Sequence, residues 1–194
     1  MTTIAFTALM GLFAFTGNGT LPIATGTPDT LISASSEQPQ TDIPELSVLA
    51  TAYNPVSGQT NSDPLITASG LPSNPEIVAA RSRDLAETLP FGTIIAIETP
   101  ADPNKGCGFD QVSHLVGYRV ILDVMHARKH EQIDIMLNTD DYVSLAGRER
   151  NPAEVLGVCT HVAIRVVGRI DMNNVPQTQS ELARLVEGEK LAQK

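Results

Sequence analysis

Gly117-Tyr-Arg-Val-Ile-Leu-Asp123 and Gln132-Ile-Asp-Ile-Met-Leu137 are the stretches on which the reading of this chain turns. Both are short runs of apolar and β-branched residues, which is strand composition. In the second, alternation puts Ile133 and Ile135 on one face. Each run carries one aspartate, Asp123 and Asp134, among apolar neighbours. A lone carboxylate in such a setting is costly to bury as an ion. It takes a raised pKa, a partner, or a place at an exposed strand end. Two such groups on consecutive strands with a short connection can meet at one mouth of a barrel. Burial and a nearby like charge then push one of them toward the protonated form at neutral pH. A general acid for glycosidic cleavage needs that property. The plain alternative is that both carboxylates face solvent from a half-buried sheet.

Working outward, the chain keeps the punctuation of β-structure. Ser47-Val-Leu-Ala-Thr-Ala-Tyr53 has strand composition and stops at Asn54-Pro55; Asn54 to Pro64 reads as loop. Glu76 to Ala80 is a short apolar run. Pro90-Phe91-Gly92 is a turn leading into the β-rich Thr93-Ile-Ile-Ala-Ile-Glu98, and Thr99 to Gly108 is loop again. Asp140 to Ala146 is expected to form a helical turn or two, capped by Asn138 or Thr139. His161-Val-Ala-Ile-Arg-Val-Val-Gly168 closes the set of strands. Short strands at this spacing, with little helix, predict a mainly β domain closed as a small barrel. Ser180 to Gln193, with Leu182, Leu185, Val186 and Leu191, predicts a weakly amphipathic helix in the tail.

The N-terminal part is different in kind. The first 80 residues hold six acids and no base, and the whole chain has 13 basic against 22 acidic residues, a net charge of −9. No basic footprint for nucleic acid exists, so sequence-independent phosphate binding is excluded as a main function. Ile4 to Phe15 is apolar and of signal-peptide length, short of a membrane span. An export signal is the preferred reading, although no Lys or Arg precedes it. A short membrane-associated anchor and a buried element of a cytosolic fold are the alternatives. Thr16 to Leu46 is poor in large apolar residues and reads as a flexible tether. The organisation expected is therefore an export signal at 1–16, a tether at 17–47, the barrel at 48–170 and a tail at 171–194. Two cysteines, Cys107 and Cys159, exclude a four-cysteine zinc site, and in an exported protein they are candidates for a disulfide.

The order of T-A-Y at 51–53, T-A-S-G at 67–70, V-A-A at 78–80, L-P-F-G-T at 89–93, and L-D followed eleven positions later by I-D-I resembles the 3D (three-aspartate) domain of cell-wall proteins. It is also similar to the barrel of the membrane-bound lytic transglycosylase A family and, more distantly, to rare lipoprotein A-like domains. The resemblance covers about residues 48 to 169. It implies a six-stranded double-psi β-barrel acting on peptidoglycan glycan strands in the periplasm or cell envelope, with no metal or organic cofactor. Carried over by position, Asp134 matches the acid/base aspartate and Asp123 the partner that tunes it. Asp84, ahead of Pro90-Phe91-Gly92-Thr93, is the candidate for the third aspartate, with Asp63 as the fallback. Thr67 matches a substrate-side hydroxyl. Tyr53, one of only three tyrosines in a chain without tryptophan, joins it as a substrate-binding candidate.

One departure stands out. The connection Val124-Met-His-Ala-Arg-Lys-His-Glu-Gln132 has no glycine, where the family's is often glycine-rich. Arg128 and Lys129 there are candidates to meet stem-peptide carboxylates, or form a solvated hairpin tip. His126, His130, Asp123 and Glu131 match no established metal-ligand spacing. Two functions follow from the resemblance: a lytic transglycosylase cleaving the bond between MurNAc and GlcNAc, or a non-catalytic glycan-binding module on the same barrel. A cytosolic binding barrel is the third class, and it requires that Ile4 to Phe15 is no export signal.

Overall fold

A computed structural model describes residues 45–60 and 63–192. The export signal and all but the last residues of the expected tether lie outside the described residues. The protein is mainly β: six strands close into a barrel, and three short helices and one two-stranded hairpin accompany it among the described residues.

The barrel is built from β1 (Glu45–Tyr53), β2 (Val78–Arg81), β3 (Thr93–Ile97), β4 (Tyr118–Val124), β5 (Gln132–Met136) and β8 (Cys159–Arg169), in the order β1-β5-β2-β4-β3-β8. β1 runs parallel to β5 and β2 parallel to β4; the other four contacts are antiparallel. β1 starts three residues before the position at which the sequence places the body. β6 (Val143–Leu145) and β7 (Arg148–Arg150) form the separate hairpin. This corrects the helical turn expected at Asp140 to Ala146. The chain reverses instead at Ala146 and Gly147, both at positive φ (52° and 75°), the geometry that a tight hairpin turn demands.

Alternation along the strands supplies two buried clusters on opposite faces of the wall. Ala50, Ala79, Ile95, Ile121, Ile133, Ile135, Val162 and Ile164 belong to one. Val78, Ala80, Ile94, Val120, Leu122 and Met136 belong to the other. Two helices were not foreseen. α1 (Phe109–Val116) buries Phe109, Val112 and Val116, and α2 (Pro152–Leu156) is capped by Asn151, whose side chain accepts from the Ala153 N–H. Both pack on the first cluster, and the Cys107–Cys159 disulfide ties the loop ahead of α1 to the start of β8. α3 (Gln179–Ala192) is the expected tail helix. It buries Leu182 and Val186 in the second cluster, while Leu185 is exposed. No helix among the described residues is long and apolar enough to cross a membrane.

Arg119 sits fully inside the wall. Its guanidinium donates to the carbonyls of Leu115, Val116, Pro75 and Met136. Two of these are the otherwise unpaired C-terminal carbonyls of α1.

Candidate active site

The site is assembled on one rung of the barrel. Thr51 of β1 is opposite Asp134 of β5, Asp134 is opposite Ala80 of β2, and Ala80 is opposite Asp123 of β4. The two aspartates are thus not on adjacent strands, as their closeness in sequence implies. β2 passes between them, and their backbones stand roughly two strand spacings, about 10 Å, apart. A bulge makes the rung possible. The register of β4 shifts between Ala79 and Ala80, so that Ile121 faces Ala79 and Asp123, two residues on, faces Ala80. Without the bulge, regular alternation along Ile121, Leu122 and Asp123 would put Asp123 on the face of Ile121, in the apolar cluster. Ala80, with only a methyl group between the two carboxyl groups, leaves the space over the rung open.

That space is a cavity of about 550 Å³. Asp123, Asp134, Tyr53 and Ala80 line it from the barrel. Ile66, Ala68 and Ser73 line it from the loop after β1, and Arg83, His126, Arg128 and Lys129 surround it from the β2 end and the β4–β5 connection. It is of the size that takes a small ligand or a sugar unit.

Asp134 is half-buried, and burial pushes its pKa up from 3.8 to about 6. The Thr51 hydroxyl donates to its Oδ1 at 2.7 Å and Lys129 attracts its charged form, both opposing the rise; the Asp123 carboxylate adds to it. Gln132 Nε2 donates to Thr51 Oγ1 at 2.9 Å, which commits the Thr51 proton to Asp134. Neither Thr51 nor Gln132 was singled out from the sequence. The signal for Thr51 is the parallel register of β1 on β5, which a single strand does not reveal.

Asp123 is held from three sides. Tyr53 Oη donates to its Oδ2 at 2.9 Å, and the N–H groups of Ala68 and Val124 donate to its Oδ1 at 2.9 and 2.8 Å. Burial and the Asp123 charge raise the Tyr53 pKa far above its usual value, so the phenol keeps its proton. Ala68 reaches Asp123 because the loop turns at Gly70. The Gly70 N–H donates to the Thr67 carbonyl, and Gly70 takes a φ of 85°, left-handed backbone that suits glycine.

The remaining candidates divide. Tyr53, Arg128 and Lys129 line the cavity, with Lys129 half-buried and Arg128 exposed. Thr67 does not. It is 4 % exposed, and its hydroxyl is engaged with Ser69 Oγ and the Leu71 carbonyl. It shapes the loop that presents Ala68, and no hydroxyl is left over for a substrate. Asp84 is not among the cavity-lining residues either. It stands in a 3₁₀ turn at Arg83–Leu85, and its Oδ2 accepts from the Glu131 N–H at 2.8 Å. That bond, with a second from Ser82, holds its carboxyl below the usual value. Glu131 has a φ of 47°, so Asp84 anchors a strained point of the β4–β5 connection. Asp63 accepts from the Leu65 N–H, also outside the cavity lining. The neighbour of Asp84, Arg83, lines the cavity instead. Among the described residues no group of three or more His, Cys, Asp or Glu is placed to hold a metal ion.

No protein-family model matches the chain, and no curated protein matches it in sequence.

Proposed function

We propose that the protein is an exported peptidoglycan-active enzyme of the lytic transglycosylase type, with Asp134 as its general acid and base. The observation that carries this reading is the placement of Asp134. It is a carboxyl group with a pKa near 6 lining an open cavity, on the same rung as a second carboxylate with only Ala80 between them. A group with that pKa holds a useful fraction of its protons near neutrality and is still a competent base once it has lost them.

In the proposed reaction the protonated Asp134 gives its proton to the oxygen bridging MurNAc and GlcNAc as the C1–O bond breaks. The Asp134 carboxylate then takes the proton from the MurNAc C6 hydroxyl while that oxygen bonds to C1. The product carries a 1,6-anhydro ring, Asp134 ends protonated as it began, and no water is consumed. Asp123, fixed by Tyr53, Ala68 and Val124, faces the positive charge that develops at the anomeric centre. Thr51 keeps the acid in place through one oxygen and leaves the other for the substrate. The two parallel strand pairs within a closed six-stranded barrel support the double-psi assignment. The Cys107–Cys159 disulfide supports an oxidising compartment.

The second reading is a glycan-binding module. The glycine-free β4–β5 connection favours it, since its tight turn (Lys129 N–H to His126 carbonyl, 2.9 Å) brings bulky side chains over the cavity. The test is mass analysis of sacculi incubated with the purified protein and with Asp134→Asn. Anhydro-ended fragments from the first and none from the second are expected. Reducing ends would make it a hydrolase, and intact sacculi would leave only the binding module.

A further inference from the structure

The charges around the cavity run against those of the whole chain. The protein carries a net charge of −9, yet Arg83, Arg128 and Lys129 stand around this one cavity, with two carboxylates on its floor and His126 beside them. They arrive from two separate segments, the 3₁₀ turn after β2 and the β4–β5 connection. The two ion pairs among the described residues, His130 with Asp84 and Arg165 with Glu98, use none of the three. Their positions are also not left to chance. The Lys129 N–H closes a turn on the His126 carbonyl, the Arg128 N–H donates to His126 Nδ1, and Asp84 pins Glu131 just beyond. Lys129 is drawn toward Asp134, but neither Arg83 nor Arg128 has an ion-pair partner among the described residues.

We propose that Arg83, Arg128 and Lys129 form a carboxylate-reading rim, so that the substrate is an anionic glycan and a neutral one is rejected. This deepens the glycan-cleaving reading and rests on it for the identity of the polymer. The anion is a carboxylate on the substituent next to the scissile bond, the group whose planar pair of oxygens suits an arginine fork. Peptidoglycan offers it in two forms: on the stem peptide, or on the lactyl group that is freed when the stem is removed. A neutral sugar brings no counter-charge to these cations, whose only acidic neighbours in the cavity lining are Asp123 and Asp134.

The test is binding of the full chain carrying Asp134→Asn, which prevents turnover, to three insoluble polymers: intact sacculi, sacculi stripped of stems by an amidase, and chitin. Sedimentation is followed in low salt and in about 1 M salt, where charges are screened beyond about 3 Å. Retention on intact sacculi, lost in high salt and absent on chitin, is the expected result. Adding Arg83→Gln and Arg128→Gln should weaken it by about three- to tenfold, the scale of two exposed charge contacts. Both arginines are exposed, and an unchanged thermal midpoint confirms that the variants fold. Equal retention on stripped sacculi assigns the lactyl carboxylate; loss on stripping assigns the stem. Equal binding to chitin, or binding indifferent to salt and to both substitutions, overturns the proposal. The cleavage reading falls separately, if the unsubstituted protein binds in this charge-dependent way and releases no fragments.

Discussion

Replacing the proposed catalytic acid should make this protein more stable, and the size of the gain follows from the site. The Asp134 carboxyl has a pKa of about 6 in the fold against 3.8 in the unfolded chain, chiefly through burial. Well below its unfolded value of 3.8 it is protonated in both states and contributes no pH-dependent term. As the pH rises from 4 to 6 the unfolded chain releases its proton first, so stability is lost across that window and stays lost above it. A difference of roughly two units corresponds to about 3 kcal/mol at neutral pH. Since the group is half-buried and water reaches it from the cavity, about 1 to 3 kcal/mol is the range to expect. Asp134→Asn removes the ionisation but keeps an oxygen to accept from Thr51, so the bond at 2.7 Å survives. For a chain of this size the midpoint of thermal unfolding should rise at pH 7 by about 2 to 10 °C. Toward pH 4 the two proteins should converge. The assay is thermal unfolding of both at fixed ionic strength from pH 4 to pH 8. A variant no more stable than the parent at pH 7, with the same slope between pH 4 and 6, would falsify the buried-acid assignment, whatever its activity.

Other consequences are equally direct. Lys129 opposes the rise in the Asp134 pKa, so Lys129→Gln should move the alkaline fall of cleavage activity to higher pH; an unmoved profile of fragment release against pH refutes that role. The Cys107–Cys159 bond spans 52 positions, worth about 4 kcal/mol by loop entropy. The double Cys→Ala variant should unfold at much lower denaturant, yet still cleave, because neither residue lines the cavity. Asp84→Ala leaves the Glu131 N–H without its acceptor. It should cost about 1 kcal/mol and weaken sacculus binding through the loop, and tight binding with a normal pH profile would show that Asp84 holds nothing the site needs. The Asp84 carboxyl is held below its usual value, so the stability it supplies above pH 4 should fade as the pH drops further, and the variant should lack that extra acid sensitivity.

Much of the barrel was legible because each strand carries its own signal. Val120 to Leu122 and Ile133 to Ile135 are apolar runs whatever they pair with. Pairing order was not legible, since it depends on residues far apart in sequence. Asp123 and Asp134 were therefore recognised, while Ala80 between them, the bulge at Leu122 and Thr51 were not. α1 had a readable period, with Phe109, Val112 and Val116 on one side, and α2 a readable start at Asn151-Pro152. Both are short enough to pass for loop. The misreading at Asp140 to Ala146 followed from a capping pattern that the Ala146-Gly147 turn overrode. Thr67 was placed by its motif, and the motif holds as a turn that presents Ala68 rather than as a hydroxyl in the cavity.

The buried Arg119 has a consequence for how the molecule comes apart. Burial lowers its pKa to about 10, so it enters the wall as a cation, balanced by carbonyl dipoles from the end of α1, the approach to β2 and the end of β5. No single one of these segments can strip water from a guanidinium. All three must be in place first, which makes its insertion a late event in assembly and its release an early barrier to disassembly. Interactions absent from the transition state of folding act mainly on the unfolding rate. The Arg119 lock is therefore a source of persistence, slowing the escape of β5, and of the acid it carries, from a folded protein.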